Sequence, residues 1–242
     1  MRTAILTDVH ANLEALTACI DAAKKAGVDR FVCLGDTVGY GADPDLACDI
    51  VRRTCQFAVV GNHDAAVSGR MDYSFYYAAA REALDWTKKK ISPANLAWLK
   101  SLPYSVPEGD VLFGHGSPLD PSAFEYIFAL EQAEDLVARA GKLAYLTFIG
   151  HSHLQRAFLL LPRVKDVWQD RVAIQPGYKY LCSIGSCGQP RDYDARACFG
   201  IWDDGKRMVE FHRVEYDAHA ASKKILDAGL STHFARRLLH GV

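Results

Sequence analysis

Five short apolar runs in this chain end in side chains that can hold a metal ion: AILTDVH, FVCLGD, FAVVGNHD, VLFGH and LTFIGHSH. The donors are Asp8 and His10, Asp36, Asn62, His115, and His151 with His153. Seven oxygen and nitrogen donors are enough for two ions sharing one carboxylate, and ligands of α/β proteins gather beyond the carboxyl ends of the strands. Asp8 and His10 are two residues apart, so extended chain turns both side chains the same way. A carboxylate at Asp36 can bridge ions about 3.5 to 4 Å apart, the spacing that clamps the attacking and leaving oxygens of a displacement. The chemistry expected is that of a dinuclear metallohydrolase.

These donors need strands to carry them. The first half alternates strand and helix, the pattern of βαβ units: AILTD, a helix over residues 12–25 ending before Gly27, FVCLGD, a helix over 45–53 with Pro44 at its first turn, then FAVVG. Helices are expected over 71–90, 93–102 and 131–140. After these come LTFIG, RAFLLL, RVAI, YLCSIG, ACFGIWD and KRMVEFHRV, with polar turns such as Asp203-Asp204-Gly205. They predict a second sheet packed on the first, and the tail from Ala218 reads as helix broken near Gly229. The expected fold is α/β, a two-sheet β-sandwich flanked by helices, in one domain over residues 1–242. If the five donor-bearing strands were neighbours in one sheet, their exits would meet at one edge. Gly61, Gly114 and Gly150 each precede a donor, which predicts positive φ or close backbone approach there.

Composition narrows the function further. A net charge of −1 over 242 residues argues against nucleic acid as an obligatory partner. No window approaches the roughly 18 apolar residues of a membrane span, and the N-terminus carries no signal-like leader. The seven cysteines show no CxxC pair, so buried thiols in a reducing cytoplasm are expected.

The blocks Asp8-Val9-His10, Gly35-Asp36, Gly61-Asn62-His63-Asp64, Gly114-His115 and Gly150-His151-Ser152-His153 resemble, in order, the signature of the calcineurin-like metallophosphoesterase superfamily. GDTVGYGADP, Trp86-Thr87, GSCGQPRD and AGLSTHFARRLLHG extend the likeness to a bacterial phosphatase or diadenosine-tetraphosphatase-like branch and over nearly the whole chain. The resemblance implies the αββα architecture of that superfamily. It implies one metal on Asp8, His10, Asp36 and His153, and a second on Asp36, Asn62, His115 and His151. Such mixed donors suit manganese, iron or zinc. A bridging water, acidified by the ions, would attack the phosphorus of a phosphomonoester or phosphodiester. His63 would contact the phosphate or protonate the leaving group, with Asp64 orienting it. Two departures stand out: Ala11 follows the first block where glycine is usual, and Ser183 stands where asparagine is often found.

Outside the blocks, Arg191 in GQPRD reads either as part of a turn or as a fork for phosphate. Tyr40 is a candidate to line the pocket. Tyr73, Phe75, Tyr76 and Tyr77 read chiefly as helix packing, with a nucleobase wall or dimer surface as the alternative. His212, His219, His233 and His240 have no such context. The expected substrate is a small phosphorylated molecule, with nucleotides among the candidates; monomer and homo-oligomer are both left open. The rival reading is a non-catalytic binding scaffold of the same fold, a class that typically loses the histidine found here at His63.

Overall fold

Both faces of the first strand are buried, which is why it reads as a continuous apolar run. In β1 (Arg2–Leu6), Ala4 and Leu6 pack among residues of overlying helices, whereas Ile5 joins the core between two sheets. The computed structural model describes residues 1–141 and 143–242. From β1 the chain runs through α1 (Leu13–Lys25), β2 (Arg30–Cys33), α2 (Pro44–Thr54), β3 (Cys55–Ala58), α3 (Asn62–Val67), α4 (Ala78–Lys90) and α5 (Pro93–Ser101). Next come β4 (Ser105–Glu108), β5 (Val111–Gly114), α6 (Leu130–Arg139), β6 (Leu146–Ile149) and β7 (Gln155–Leu161). The remainder holds β8 (Lys165–Asp166), β9 (Arg171–Ala173), β10 (Lys179–Ile184), β11 (Ala197–Asp203), β12 (Met208–Val214), α7 (Ala218–Asp227) and α8 (Thr232–His240).

Two six-stranded mixed sheets result, ordered β3-β2-β1-β11-β12-β9 and β4-β5-β6-β10-β7-β8. Strands β1, β2 and β3 are parallel, as are β5, β6 and β10. Ile5 and Val32 of the first sheet, with Leu34 just beyond β2, share a core with Phe113, Phe148 and Ile184 of the second. Trimming a filled position such as Phe148 to alanine would cost about 3–5 kcal/mol. Helices α1, α2 and α5 contribute to the core on the other face of the first sheet, and α6 to that of the second. Helix α8 sets Phe234 and Leu238 in a cluster with Tyr40, Ala80 and Ala83, which brings the C-terminus to the loop after β2.

Three expectations change. The donor-bearing strands do not share a sheet: β1, β2 and β3 lie in the first, β5 and β6 in the second. Nor does the second half of the chain make up the second sheet, because β11 pairs antiparallel with β1 and β12 pairs with β11. Helix α4 starts at Ala78 rather than at residue 71. Asp72 turns the chain there by accepting from the backbone N and the Oγ of Ser74, the local competition with helix that aspartate offers. Strand β4 was not anticipated; its Pro107 is tolerated because β4 is an edge strand. No helix among the described residues is long and apolar enough to cross a membrane.

Candidate metal centre

The exits of β1, β2, β5 and β6 and the start of α3 converge where the two sheets meet. Several exit residues take the left-handed conformation, with φ of 50° at Asp8, 48° at His10, 51° at Asp36, 66° at His151 and 60° at His153. Each such non-glycine residue costs about 1–3 kcal/mol and persists only where its surroundings over-determine it. Here the β1 exit is laced to the β2 exit: Asp8 N donates to Gly35 O at 3.0 Å, His10 N to Asp36 O at 2.9 Å and Ala11 N to Thr37 O at 2.9 Å. Ala11 itself has φ of 53°, so a methyl group sits where glycine would be unstrained. Gly61 and Gly150 are required by close approach, since a Cβ would lie 2.0 Å from Asp36 Oδ1 and 1.9 Å from Thr7 Oγ1 respectively. Gly114 shows neither expected constraint, having room for a Cβ.

Three imidazoles are pinned through one nitrogen. Nδ1 of His10, His115 and His153 donates to Val38 O at 3.1 Å, Leu34 O at 2.7 Å and Gln189 O at 2.5 Å. That fixes each Nε2 toward the centre, the arrangement in which histidine ligates metals. His10 Nε2 and His153 Nε2 are 3.2 Å apart, two lone pairs facing each other that a cation would reconcile. Asp8 Oδ1 lies 3.3 Å from His153 Nε2 and is buried without a hydrogen-bond partner, while Oδ2 is held by Thr7 Oγ1 and His151 N. Asp36 Oδ1 accepts from His63 N at 2.8 Å. Its Oδ2 lies 3.7 Å from His10 Nε2 and 3.4 Å from His115 Nε2, between the two groups. Asn62 donates its Nδ2 to Tyr76 Oη at 2.6 Å, leaving Oδ1 turned inward, 3.2 Å from His115 Nε2.

Donor atoms of Asp8, His10 and His153 lie within 4.8 Å of one another, as do those of Asp36, His115 and His151, and those of His10, Asp36 and His63. With an orphaned carboxylate oxygen and inward lone pairs, the residues present suit divalent cations. The field inside is strong. Burial, reinforced by Asp36, raises Asp8 to about 6. Asp36 itself is held well below the usual carboxylate range, its burial being outweighed by His115 and His63. Burial pushes down His10, His151 and His153, and brings His63 to about 4. At His115 burial acts the same way, but the Asp36 carboxylate wins and raises it to about 9.

Asp64 does not reach His63 in the expected way. Its oxygens accept from Val38 N at 3.1 Å and Gly61 N at 3.2 Å, and His63 Nδ1 has no partner. Burial, with Asp36 nearby, raises Asp64 to about 7; its hydrogen bonds join two exit loops. The Tyr40 ring packs 4.7 Å from His10 and 4.4 Å from His63. The Arg191 guanidinium stands 5.8 Å over the Tyr40 ring. Ser183 Oγ bonds Leu154 O at 2.8 Å and Ser152 Oγ at 3.0 Å, tying β10 to the GHSH turn. Sequence reasoning missed Tyr126, stacked 3.8 Å from His151, and underrated Tyr76, whose hydroxyl orients Asn62. An aromatic run placed just after GNHD was the available signal for Tyr76; none marked Tyr126. All seven cysteines are free, and all but Cys55 are buried.

The family described as calcineurin-like phosphoesterase matches residues 1–155. The protein MJ0912 of Methanocaldococcus jannaschii is 36% identical over 247 residues, covering 98% of this chain and 97% of that protein. A metallophosphoesterase from Sphaerobacter thermophilus, known from its crystal structure, is 35% identical with a TM-score of 0.88, covering 100% of this chain and 99% of the other. PH1004 of Pyrococcus horikoshii shares the fold at 18% identity with a TM-score of 0.80, covering 100% and 98%.

Proposed function

The chain belongs to the calcineurin-like phosphoesterase family, and from that premise we propose that it is a metal-dependent hydrolase of phosphomonoester or phosphodiester bonds using two divalent ions. Asp8, His10, Asp36 and His153 would hold one ion, and Asp36, Asn62, His115 and His151 the other. Bound there, manganese, iron or zinc would supply Lewis acidity toward the phosphoryl oxygens and acidify the attacking water. The chain's own part is positioning. Asp36 holds the N-terminus of α3 through His63 N, and Asn62 is aimed by Tyr76.

We assign His63 to the substrate rather than to an ion. Its Nδ1 is buried without a hydrogen-bond partner among the described residues, so its ring is not pinned to a backbone carbonyl as those of His10, His115 and His153 are. His151 shows no such bond either, and the assignment of His63 follows the family resemblance. Held neutral by burial, its imidazole can donate to a phosphoryl oxygen. The charge of a bound phosphate would raise its pKa toward that of a working general acid. The aromatic side chains near the centre, with Tyr126 47% and Phe75 74% exposed, support a small aromatic phosphate such as a nucleotide. The donors come from both sheets, so the reading takes residues 1–242 as one domain. Seven free thiols support a cytoplasmic setting.

The observation that carries the reading is the convergence of three pinned Nε2 atoms on the unpartnered Asp8 Oδ1 and the shared Asp36 Oδ2. The test is hydrolysis of p-nitrophenyl phosphate, bis-p-nitrophenyl phosphate and a nucleotide panel by manganese-loaded protein. Turnover abolished by chelation is expected; metal-loaded protein inert to every ester would favour the binding scaffold instead.

A further inference from the structure

Two guanidinium groups without a counter-ion among the described residues stand beside the candidate metal centre. Gln189 is 1% exposed. Its carbonyl holds His153 Nδ1, while its Oε1 accepts from Arg191 Nη2 at 2.9 Å and Arg237 Nη1 at 3.5 Å. Arg191 comes from the loop after β10 and Arg237 from the last turn of α8. Two cations thus converge on one neutral acceptor, an arrangement that repulsion disfavours. Neither forms an ion pair among the described residues; the neighbouring Asp192 and Asp194 are taken by Arg213 and Arg196. The Nε of each arginine is buried with no hydrogen-bond partner. Burial and the charge of Arg191 hold Arg237 below its ordinary value.

Position ties the pair to the chemistry. Arg191 lies over Tyr40, and Tyr40 packs on His10 and His63, so the Arg191 guanidinium is one side chain away from where the reacting phosphate would sit, with Arg237 joined to it through Gln189 Oε1. Unmatched buried donors are satisfied by an anion that accepts from both forks. A phosphoryl group, with up to two charges and three free oxygens, matches two guanidiniums better than a single carboxylate does.

We propose that Arg191 and Arg237 form a subsite for a second phosphoryl group of the substrate, so that bis- or polyphosphates are preferred over simple phosphate esters. The inference rests on the phosphoesterase reading for the location of the first phosphate. It is tested by calorimetric titration of manganese-loaded protein, at fixed excess free manganese, with methylphosphonate, phosphonoacetate and methylenediphosphonate, none of which can be hydrolysed at phosphorus as an ester. Methylenediphosphonate should bind about ten-fold or more tightly than methylphosphonate, with phosphonoacetate between them. R191Q and R237Q should each narrow that preference to about three-fold or less, and R237K should keep part of it. R236Q, at an exposed position of the same helix, controls for charge and should keep the full preference.

A wild-type preference near unity overturns the proposal whether or not the variants fold. So does an equal weakening of all three ligands in R237Q, which would give the arginines to the reacting phosphate. A phosphonoacetate preference equal to that for methylenediphosphonate would reassign the subsite to a carboxylate. Protein that shows the diphosphonate preference but hydrolyses no ester leaves the subsite standing and sinks the turnover reading. Protein that turns over esters without the preference does the reverse.

Discussion

The seven candidate metal donors are each 6% exposed or less, whereas Phe75, Tyr77, Tyr126 and Phe128 near them range from 40% to 74%. The floor is made of strand exits whose backbones are strained, crowded by glycines and laced together by amide hydrogen bonds. The rim is made of loops and one C-terminal helix. The difference follows from what each must do. Ions tolerate little displacement of their ligands, so a floor that holds them, as proposed, would accept strain in return for fixed geometry. Recognition of the rest of a substrate is carried by loops that vary over a common fold.

Substitutions should separate the two regions by magnitude. Asp36→Asn keeps the shape but removes the shared charge. Catalytic efficiency should fall about 1,000-fold, as expected for several kcal/mol of metal-derived stabilisation, with bound metal reduced in elemental analysis. A variant within ten-fold of wild type, by contrast, would erase the contrast between floor and rim. His63→Asn should lower kcat about 100-fold or more with metal content unchanged; parallel loss of metal would make His63 a ligand and enlarge the floor. Tyr126→Ala should act mainly on KM, by about three- to ten-fold, the scale of one lost aromatic contact. A kcat effect as large as that of Asp36→Asn would move Tyr126 into the floor. The smallest change is Ser183→Ala, which removes the shorter of the two side-chain hydrogen bonds to Leu154 O and should cost about 1 kcal/mol, read as a lower denaturation midpoint. Unchanged stability would show that the GHSH turn is held without it.

The same contrast explains what could be read in the chain. Asp8, His10, Asp36, Asn62, His115, His151 and His153 were legible because each follows an apolar run and belongs to a type that binds metals. Their division between two sheets was not, since the pairing of β1 with β11 joins Arg2 to Asp203 and nothing local specifies so distant a partner. Asp64 was read by analogy with other carboxylate–histidine pairs, but the backbone amides of Val38 and Gly61 claim it. Arg237 reaches Gln189 because Phe234 and Leu238 bury α8 beside Tyr40. A helix-face pattern announces that burial but not where the opposite side will land.

The central claim is that the floor works as a pair of ion sites. The most direct measurement is the rate of phosphate-ester hydrolysis as metal-stripped protein is titrated with manganese. The account predicts no turnover without metal and a rate that climbs to a plateau as a second equivalent per chain is bound. A plateau complete at one equivalent, or a rate indifferent to metal, would contradict it.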